Sequence, residues 1–93
     1  MFDSVLKQMW EKIRTRQYVM TLHAEEEMDN DGLTVLDVER AILTGEILGR
    51  QKDRDTGEWK YPVKGKTLGG SEVVVVNKLS RSGKLVIITV YMV

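Results

Sequence analysis

The sequence contains no cysteine, only one proline and only one histidine among its 93 residues. Without cysteine, disulfide bridges, thiolate nucleophiles and cysteine-based zinc sites are excluded. A single histidine cannot build a histidine-rich transition-metal site, and no glycine-rich phosphate loop precedes a predicted helix, so we expect neither a metal nor another cofactor. No apolar run approaches the ~18 residues that span a bilayer, and no signal peptide is evident. These absences predict a cytoplasmic protein with no membrane segment.

An excess of charge of either sign is also missing, because fourteen Lys and Arg balance fourteen Asp and Glu. This balance excludes a histone-like polycation. Residues 1–46 nevertheless carry five basic and ten acidic side chains, whereas residues 47–93 carry nine and four. Such asymmetry is typical of a basic surface for nucleic acid or an acidic partner, or of helices that complement their own sheet.

Apolar residues recur with a helical period near the start of the chain. The stripe from Val5 to Ile13 predicts a helix over residues 3–16, capped by Asp3 or Ser4.

Two shorter helices are predicted after an extended link at residues 18–21. The first runs from Leu22 to Asp29. The second begins at Thr34, which with Asp37 resembles a capping box. It ends at Gly45, where we expect the left-handed conformation of a helix stop.

From Glu46 onward the apolar period becomes that of strands. Segments rich in Gly, Ser and Asp separate four predicted strands, which are Glu46–Asp53, Trp59–Lys66, Glu72–Leu79 and Lys84–Met92. Pairing Asp53 with Glu58 across the first turn would set Gly49 opposite Pro62. Because proline cannot donate a ladder hydrogen bond, a bulge or an end to the pairing is expected there.

The predicted fold is therefore α+β, with two to three N-terminal helices packed on one face of a four-stranded, mainly antiparallel C-terminal sheet. We expect one domain over residues 1–93. It comprises a helical extension at 1–17, further helices at 18–45 and the antiparallel sheet at 46–93.

His23 is the side chain best suited to acid–base chemistry, because histidine changes charge near neutral pH. The dipole at the start of its predicted helix favours the neutral imidazole. Glu27 lies four residues further on the same helix face and can orient the ring. An oriented, neutral imidazole can act as a general base on a ribose hydroxyl. A structural histidine bonded to a main-chain carbonyl is the alternative interpretation.

Three lysines, Lys60, Lys64 and Lys66, share one face of a predicted strand whose other face is apolar. This stripe can cradle a phosphodiester. Alternatively, it is a solvated face whose lysines protect the strand from aggregation.

On the last strand, Thr89 and Tyr91 are predicted to share a face with Leu85 and Ile87. Their hydroxyls can contact a phosphate or position a reacting group, although both residues are also ordinary strand formers. Arg81 lies in the preceding turn and can reach over the same face.

Several short motifs together carry a family resemblance. They are His23-Ala24 with Met28, Gly32-Leu33, Asp37-Val38, Ala41-Ile42, Gly45-Glu46 and the run Ile88-Thr89-Val90-Tyr91. In these motifs the chain resembles, from about Tyr18 to Tyr91, the small bacterial proteins catalogued as domain of unknown function 4258. Many members carry arginine where this chain has Glu27 and Asp31, a departure that counts against an RNA-directed activity.

That family has no settled biochemical function, so the resemblance chiefly implies the fold. More distantly, helices followed by a four-stranded antiparallel sheet are similar to the RelE- and BrnT-type ribonuclease toxins of bacterial toxin–antitoxin pairs. This similarity implies RNA as a substrate and an antitoxin-like protein as a partner, by analogy of fold alone.

The first of two functional hypotheses is a metal-independent endoribonuclease of the toxin–antitoxin type. Cleavage through the 2′-hydroxyl requires a base, an acid and charge stabilisation. The predicted catalytic residues are His23, Lys60, Thr89 and Tyr91, and the predicted phosphate-binding residues are Lys64, Lys66 and Arg81.

The second hypothesis is a non-catalytic interaction module or homodimer. The apolar end of the last strand, Tyr91-Met92-Val93, has no charge to discourage strand addition. The two hypotheses differ in their expectation for His23. An enzyme should set His23 and the lysines around one concavity, whereas an interaction module should bury His23.

Overall fold

The computed structural model describes all residues 1–93 and contains three helices and six strands. In chain order the elements are α1 (Asp3–Arg14), β1 (Tyr18–Met20), α2 (Leu22–Asp31), α3 (Val35–Thr44), β2 (Glu46–Ile47), β3 (Gln51–Lys52), β4 (Trp59–Lys66), β5 (Glu72–Leu79) and β6 (Leu85–Met92). The α+β class, with N-terminal helices before a sheet, is confirmed. The predicted number of strands is wrong, because β1 replaces the predicted link and the first predicted strand is divided into β2 and β3. None of the helices has the length and apolarity that crossing a bilayer requires.

The sheet has the order β1-β6-β5-β4-β2, and β3 also pairs with β4. Strands β4, β5 and β6 are antiparallel neighbours. Strand β1 instead lies parallel to β6, with Tyr18 opposite Leu85. The sheet is therefore mainly antiparallel, as predicted, but it is mixed because β1 adds one parallel pairing. Three residues are too few to show a strand period, which is why the sequence did not predict β1.

The bulge expected near Gly49 and Pro62 is confirmed. Ile47 pairs with Val63, whereas Gln51 pairs with Lys60, so the first segment has one residue more than β4 between these pairs. The carbonyl of Pro62 accepts a main-chain hydrogen bond of 2.9 Å from the bulged segment. The proline thus joins the ladder without needing an amide.

All three helices contribute side chains to one core on a single face of the sheet. The most buried helix residues in this core are Met9 and Ile13 of α1, Ala24 and Met28 of α2, and Val38, Ala41 and Ile42 of α3. They pack on inward-facing residues of β4, β5 and β6, so the opposite face of the sheet has no helix over it.

Glycine permits a close approach between α3 and β4. A Cβ atom on Gly65 would lie 1.8 Å from the carbonyl oxygen of Ala41. One on Gly45 would lie 2.6 Å from the same oxygen and 2.8 Å from the carbonyl oxygen of Lys64. The predicted left-handed conformation of Gly45 is wrong, because its backbone is extended with φ −93° and ψ 177°. Lack of space, rather than backbone conformation, requires glycine at this helix end.

The helix starts agree with the predictions for α3 but not for α1. The Asp37 amide donates 3.2 Å to the Thr34 hydroxyl, and the Asp37 carboxylate accepts 2.9 Å from the Thr34 amide. The predicted capping box is therefore confirmed. Helix α1 begins after Phe2 with no side-chain cap, so the predicted cap at Asp3 or Ser4 is wrong.

A second bulge interrupts β6. The pairs Val76–Thr89 and Asn77–Ile87 leave Ile88 without a partner on β5. Because side chains alternate along a strand, one extra residue reverses the faces of every residue that follows it.

Candidate functional site

The uncovered side of the sheet, here called the open face, is built from alternate residues of β4, β5 and β6. Its members are Lys60, Pro62, Lys64, Lys66, Glu72, Val74, Val76, Lys78, Val86, Thr89 and Tyr91. None of them belongs to the hydrophobic core. Five of the seven residues predicted as site residues share this face: Lys60, Lys64, Lys66, Thr89 and Tyr91.

Thr89 and Tyr91 reach the open face because of the bulge at Ile88. They were predicted to share a face with Leu85 and Ile87, which are fully buried in the core instead. That prediction is wrong, since strict alternation was carried through a strand that contains one extra residue. The bulge thereby sets both hydroxyl side chains on the same face as the lysines.

One cross-strand row joins a lysine to Tyr91. Lys64 lies opposite Val74 on β5, and Val74 lies opposite Tyr91 on β6. Val74 is only 3% exposed although no helix covers it, because long side chains flank it on both sides. The Lys64 and Tyr91 side chains therefore border a short apolar floor.

A shallow cleft of about 410 Å³ lies at the end of this row. Its lining residues are Thr44, Gly45, Glu46, Lys64, Gly65, Lys66 and Glu72. The Lys64 Nζ atom is 3.4 Å from Oε2 of Glu72. The cleft contains two lysines and two glutamates, so an anion bound there has to compete with Glu72 for Lys64.

The remaining lysines of the open face differ in their pairing. Lys78 lies 3.3 Å from Glu58, and both side chains are less than one fifth exposed. Lys60 and Lys66 have no acidic side chain within 4.0 Å of their ammonium groups. These two cations are consequently available to an external anion.

His23 lies on α2, at the edge of the sheet, and its side chain is 64% exposed. Its Nε2 atom is 3.2 Å from Oε1 of Glu27. The same carboxylate oxygen accepts a 3.1 Å hydrogen bond from the Val90 amide. The contact that the sequence predicts between His23 and Glu27 is thus present. The sequence did not indicate that Glu27 also binds the edge of β6.

Glu27 can reach this edge because β1 is short. Strand β1 pairs with β6 only as far as Ile87. The chain then continues into α2 through Thr21, whose amide donates 3.0 Å to the Ile87 carbonyl and whose hydroxyl donates 2.9 Å to the Ile88 carbonyl. These contacts fix the start of α2, and therefore His23, relative to β6.

Strand β1 is also tied to α3 by a hydrogen bond from the Tyr18 hydroxyl to the Glu39 carboxylate. Burial, together with this hydrogen bond, raises the pKa of Tyr18 to about 12. The phenol therefore stays protonated as a donor across the physiological pH range.

The single concavity that an enzyme was expected to show around His23 and the lysines is not formed. None of the four clefts is lined by His23. Strand β4, which carries the lysines, is two strands from β6, or about 10 Å at ordinary strand spacing. The burial of His23 expected for an interaction module is not observed either. The structure sets the His23–Glu27 pair beside Val90, the residue between Thr89 and Tyr91.

Arg81 lies neither on the open face nor beside the His23–Glu27 pair. It is exposed in the turn between β5 and β6 and lines a separate cleft with Trp59 and Tyr61. Tyr61 belongs to the core, so this cleft opens on the helix side of the sheet. The expectation that Arg81 reaches over the face of Thr89 and Tyr91 is therefore wrong.

The end of β6 is apolar and exposed, with Val93 69% exposed. The outward Val90 amide is already bonded to Glu27. This part of the edge is thus partly blocked against the strand addition that the interaction-module hypothesis invoked.

No three acidic or histidine side chains converge in a metal-binding arrangement.

Among known proteins, the family model described as Domain of unknown function (DUF4258) matches residues 20–92. No curated protein and no solved structure matches the chain significantly. The matched segment extends from the end of β1 through β6 and leaves out α1.

Proposed function

Because the chain belongs to the DUF4258 family, whose description assigns no activity, we propose a function from its own side chains: metal-independent cleavage of single-stranded RNA. One observation carries this proposal. An exposed histidine is oriented by a carboxylate that is itself fixed to the main chain of β6, at the residue between Thr89 and Tyr91. Oriented imidazole–carboxylate pairs serve as acid–base groups when the imidazole remains accessible.

In the proposed reaction, His23 acts through the nitrogen that does not face Glu27. Because Nε2 lies 3.2 Å from the Glu27 carboxylate, Nδ1 is the nitrogen left to accept the proton of a ribose 2′-hydroxyl. The 2′ oxygen attacks the adjacent phosphorus, and the bond from phosphorus to the 5′ oxygen breaks. The products are a 2′,3′-cyclic phosphate and a 5′-hydroxyl end, whose proton comes from solvent.

The open face supplies the charge stabilisation that this reaction requires. Thr89 and Tyr91 precede and follow Val90, whose amide binds Glu27, and in this reaction their hydroxyls on the open face orient the phosphate. Lys64 shares the row of Tyr91, while Lys60 and Lys66 are free to bind neighbouring phosphates. Such lysine–phosphate contacts position RNA without reading its sequence.

Glu27 has a positioning role in this scheme, because it contacts His23 and not the substrate. Its carboxylate, fixed to the Val90 amide, holds the imidazole in one orientation.

The test is cleavage of an end-labelled single-stranded RNA of mixed sequence in the presence of EDTA, followed by analysis of the new ends. We expect 2′,3′-cyclic phosphate ends from the wild-type protein. His23→Ala should lower the rate constant by about 100-fold or more, since general acid–base catalysis contributes roughly 10²–10⁴. Asn30→Ala changes another exposed residue of α2 and should cleave at the wild-type rate when purified in the same way.

Two results would contradict the proposal: no cleavage by the wild-type protein, or equal cleavage by His23→Ala and Asn30→Ala. In either case the non-catalytic interaction module or homodimer becomes the better hypothesis. Sedimentation of the protein alone then measures whether it self-associates.

A further inference from the structure

Trp59, the first residue of β4, is a large aromatic residue whose side chain is exposed, at 39%. It lines a cleft of about 260 Å³, here called the Trp59 cleft, whose lining residues are Glu58, Trp59, Tyr61, Leu79, Ser80 and Arg81. The cleft lies between the turn that precedes β4 and the turn that joins β5 to β6. Neither the lysine stripe of the open face nor the His23–Glu27 pair takes part in it.

Two cationic side chains lie close to the Trp59 ring. The Arg50 guanidinium carbon is 4.0 Å from the ring centroid, and the Lys52 ammonium nitrogen is 5.5 Å from it. Both distances are within the range of cation–π attraction. Arg81, at the other wall of the cleft, has no ion pair and no side-chain hydrogen bond.

The charge around the cleft favours an anionic ligand. The segments 50–60 and 78–84 contain seven Lys and Arg against three Asp and Glu. One of these acids, Glu58, is already neutralised by Lys78 at 3.3 Å. Another, Asp53, uses its carboxylate to accept the amide of Asp55 at 2.9 Å within the turn.

The kinds of side chain that line the Trp59 cleft indicate the kind of ligand. The indole is 39% exposed and offers a base the part of the ring that Arg50 does not cover, and the Arg81 guanidinium across the cleft offers a contact for a phosphate. Single-stranded nucleic acids are bound by this combination of stacking aromatics and surrounding cations.

We propose that the Trp59 cleft binds an unpaired nucleotide of single-stranded RNA, with the base stacked on Trp59 and the phosphate against Arg81. The choice of RNA rests on the proposed function, whereas binding in this cleft does not require cleavage. The Trp59 cleft lies at the start of β4, and Lys66 lies at the other end of this strand. A nucleotide bound in the cleft would therefore anchor the RNA at a distance from the reacting bond.

Binding is measured with a fluorescent 2′-O-methyl oligoribonucleotide, which cannot be cleaved through its blocked 2′ oxygen. Trp59→Ala should weaken binding by about 5- to 150-fold, which corresponds to the roughly 1–3 kcal/mol that stacking contributes per base. Trp59→Phe keeps an aromatic ring and should retain most of the affinity. Arg81→Ala should weaken binding and reduce the slope of log affinity against log salt by about 0.7.

Intrinsic fluorescence gives a second readout. Stacking should quench Trp59, while Trp10, whose indole nitrogen donates 2.9 Å to the Ile42 carbonyl inside the protein, should be unaffected. The residual signal of Trp59→Phe reports Trp10 alone. Leu36→Ala removes another large exposed side chain from α3 and should bind like the wild type.

Failure of this site and failure of the proposed function give different results. If circular dichroism shows that Trp59→Ala is folded like the wild type, equal affinities of the two proteins for the oligonucleotide would overturn the nucleotide site even if RNA is cleaved. Tighter binding of an equally charged poly-glutamate peptide would also overturn it. Trp59-dependent binding of the oligonucleotide without any cleavage of ordinary RNA would support the site and contradict the ribonuclease.

Discussion

At the scale of single residues, available space is a stronger constraint than residue chemistry at the contact between α3 and β4. Gly65→Ala would put a Cβ atom 1.8 Å from the carbonyl oxygen of Ala41, so helix and strand must separate. We expect a loss of about 1–3 kcal/mol or more in the free energy of unfolding, as for other overpacked cores. Urea unfolding followed by circular dichroism measures the change.

Gly49→Ala is the matched control for this prediction. No atom lies within 4 Å of the Cβ that it would add, and its backbone is not left-handed. Its free energy of unfolding should stay within about 0.5 kcal/mol of the wild type. Similar losses in both variants would mean that β4 does not approach α3 as closely as described.

The candidate site could be predicted residue by residue only where a local spacing exists. His23 and Glu27 are four residues apart on a helix, so their contact follows from the sequence. The contact between Glu27 and the Val90 amide joins residues 63 positions apart. No local pattern encodes it, because it depends on where β1 ends relative to β6.

At the scale of elements, the capping box of α3 also ties the helix to the sheet. The Asp37 carboxylate accepts the Leu68 amide at 3.1 Å as well as the Thr34 amide. The hydrogen bond from the Thr34 amide, assisted by that from Leu68, holds the pKa of Asp37 below its usual value. The ionised carboxylate therefore stabilises the folded state.

This pKa shift has a definite sign in a pH titration of stability. Because the folded pKa is lower than the unfolded value of about 3.9, the stabilisation is complete above that value and disappears as the pH falls through the lower folded pKa. We expect Asp37→Asn to melt below the wild type at pH 7, with a difference that shrinks between about pH 5 and pH 2. Melting temperatures at a series of pH values test this. Asn30→Ala, which changes an exposed side chain of α2 that has no titratable group, should show no such convergence. A pH-independent difference for Asp37→Asn would contradict the assignment.

The elements that the sequence predicted best are those with a complete local signal. Strands β4 and β5 have the predicted bounds, α2 begins at the predicted Leu22, and α3 begins directly after its predicted cap, Thr34. Strand β1 was missed because its partner lies in β6, at the other end of the sequence. The face reversal in β6 was missed because a bulge leaves the apolar run unbroken.

At the scale of the whole molecule, the net charge is zero while the two halves of the chain are oppositely charged. The proposed binding of RNA would therefore depend on which lysines are free rather than on bulk charge. Glu72→Gln removes the partner of Lys64 and should strengthen binding of the 2′-O-methyl oligonucleotide. We expect about 1.5- to 5-fold, which matches the 0.2–1 kcal/mol of an exposed ion pair.

Glu26→Gln separates this effect from net charge, because it removes one exposed acid on α2 that has no ion pair. Its affinity should change less than that of Glu72→Gln. Equal gains from the two variants would show that the open face attracts RNA only through overall charge.

The position of β6 inside the sheet also has a consequence for how the protein is made. Strand β6 lies between β1 and β5 in the sheet but is the last of the six strands in the chain. During synthesis, β1 is complete long before its neighbour β6 exists, whereas only five residues separate the end of the valine-rich β5 from the start of β6. Their open edges must be kept from other chains until residues 85–92 have left the ribosome. Slow translation or truncation near this point should therefore favour aggregation over a partly folded product.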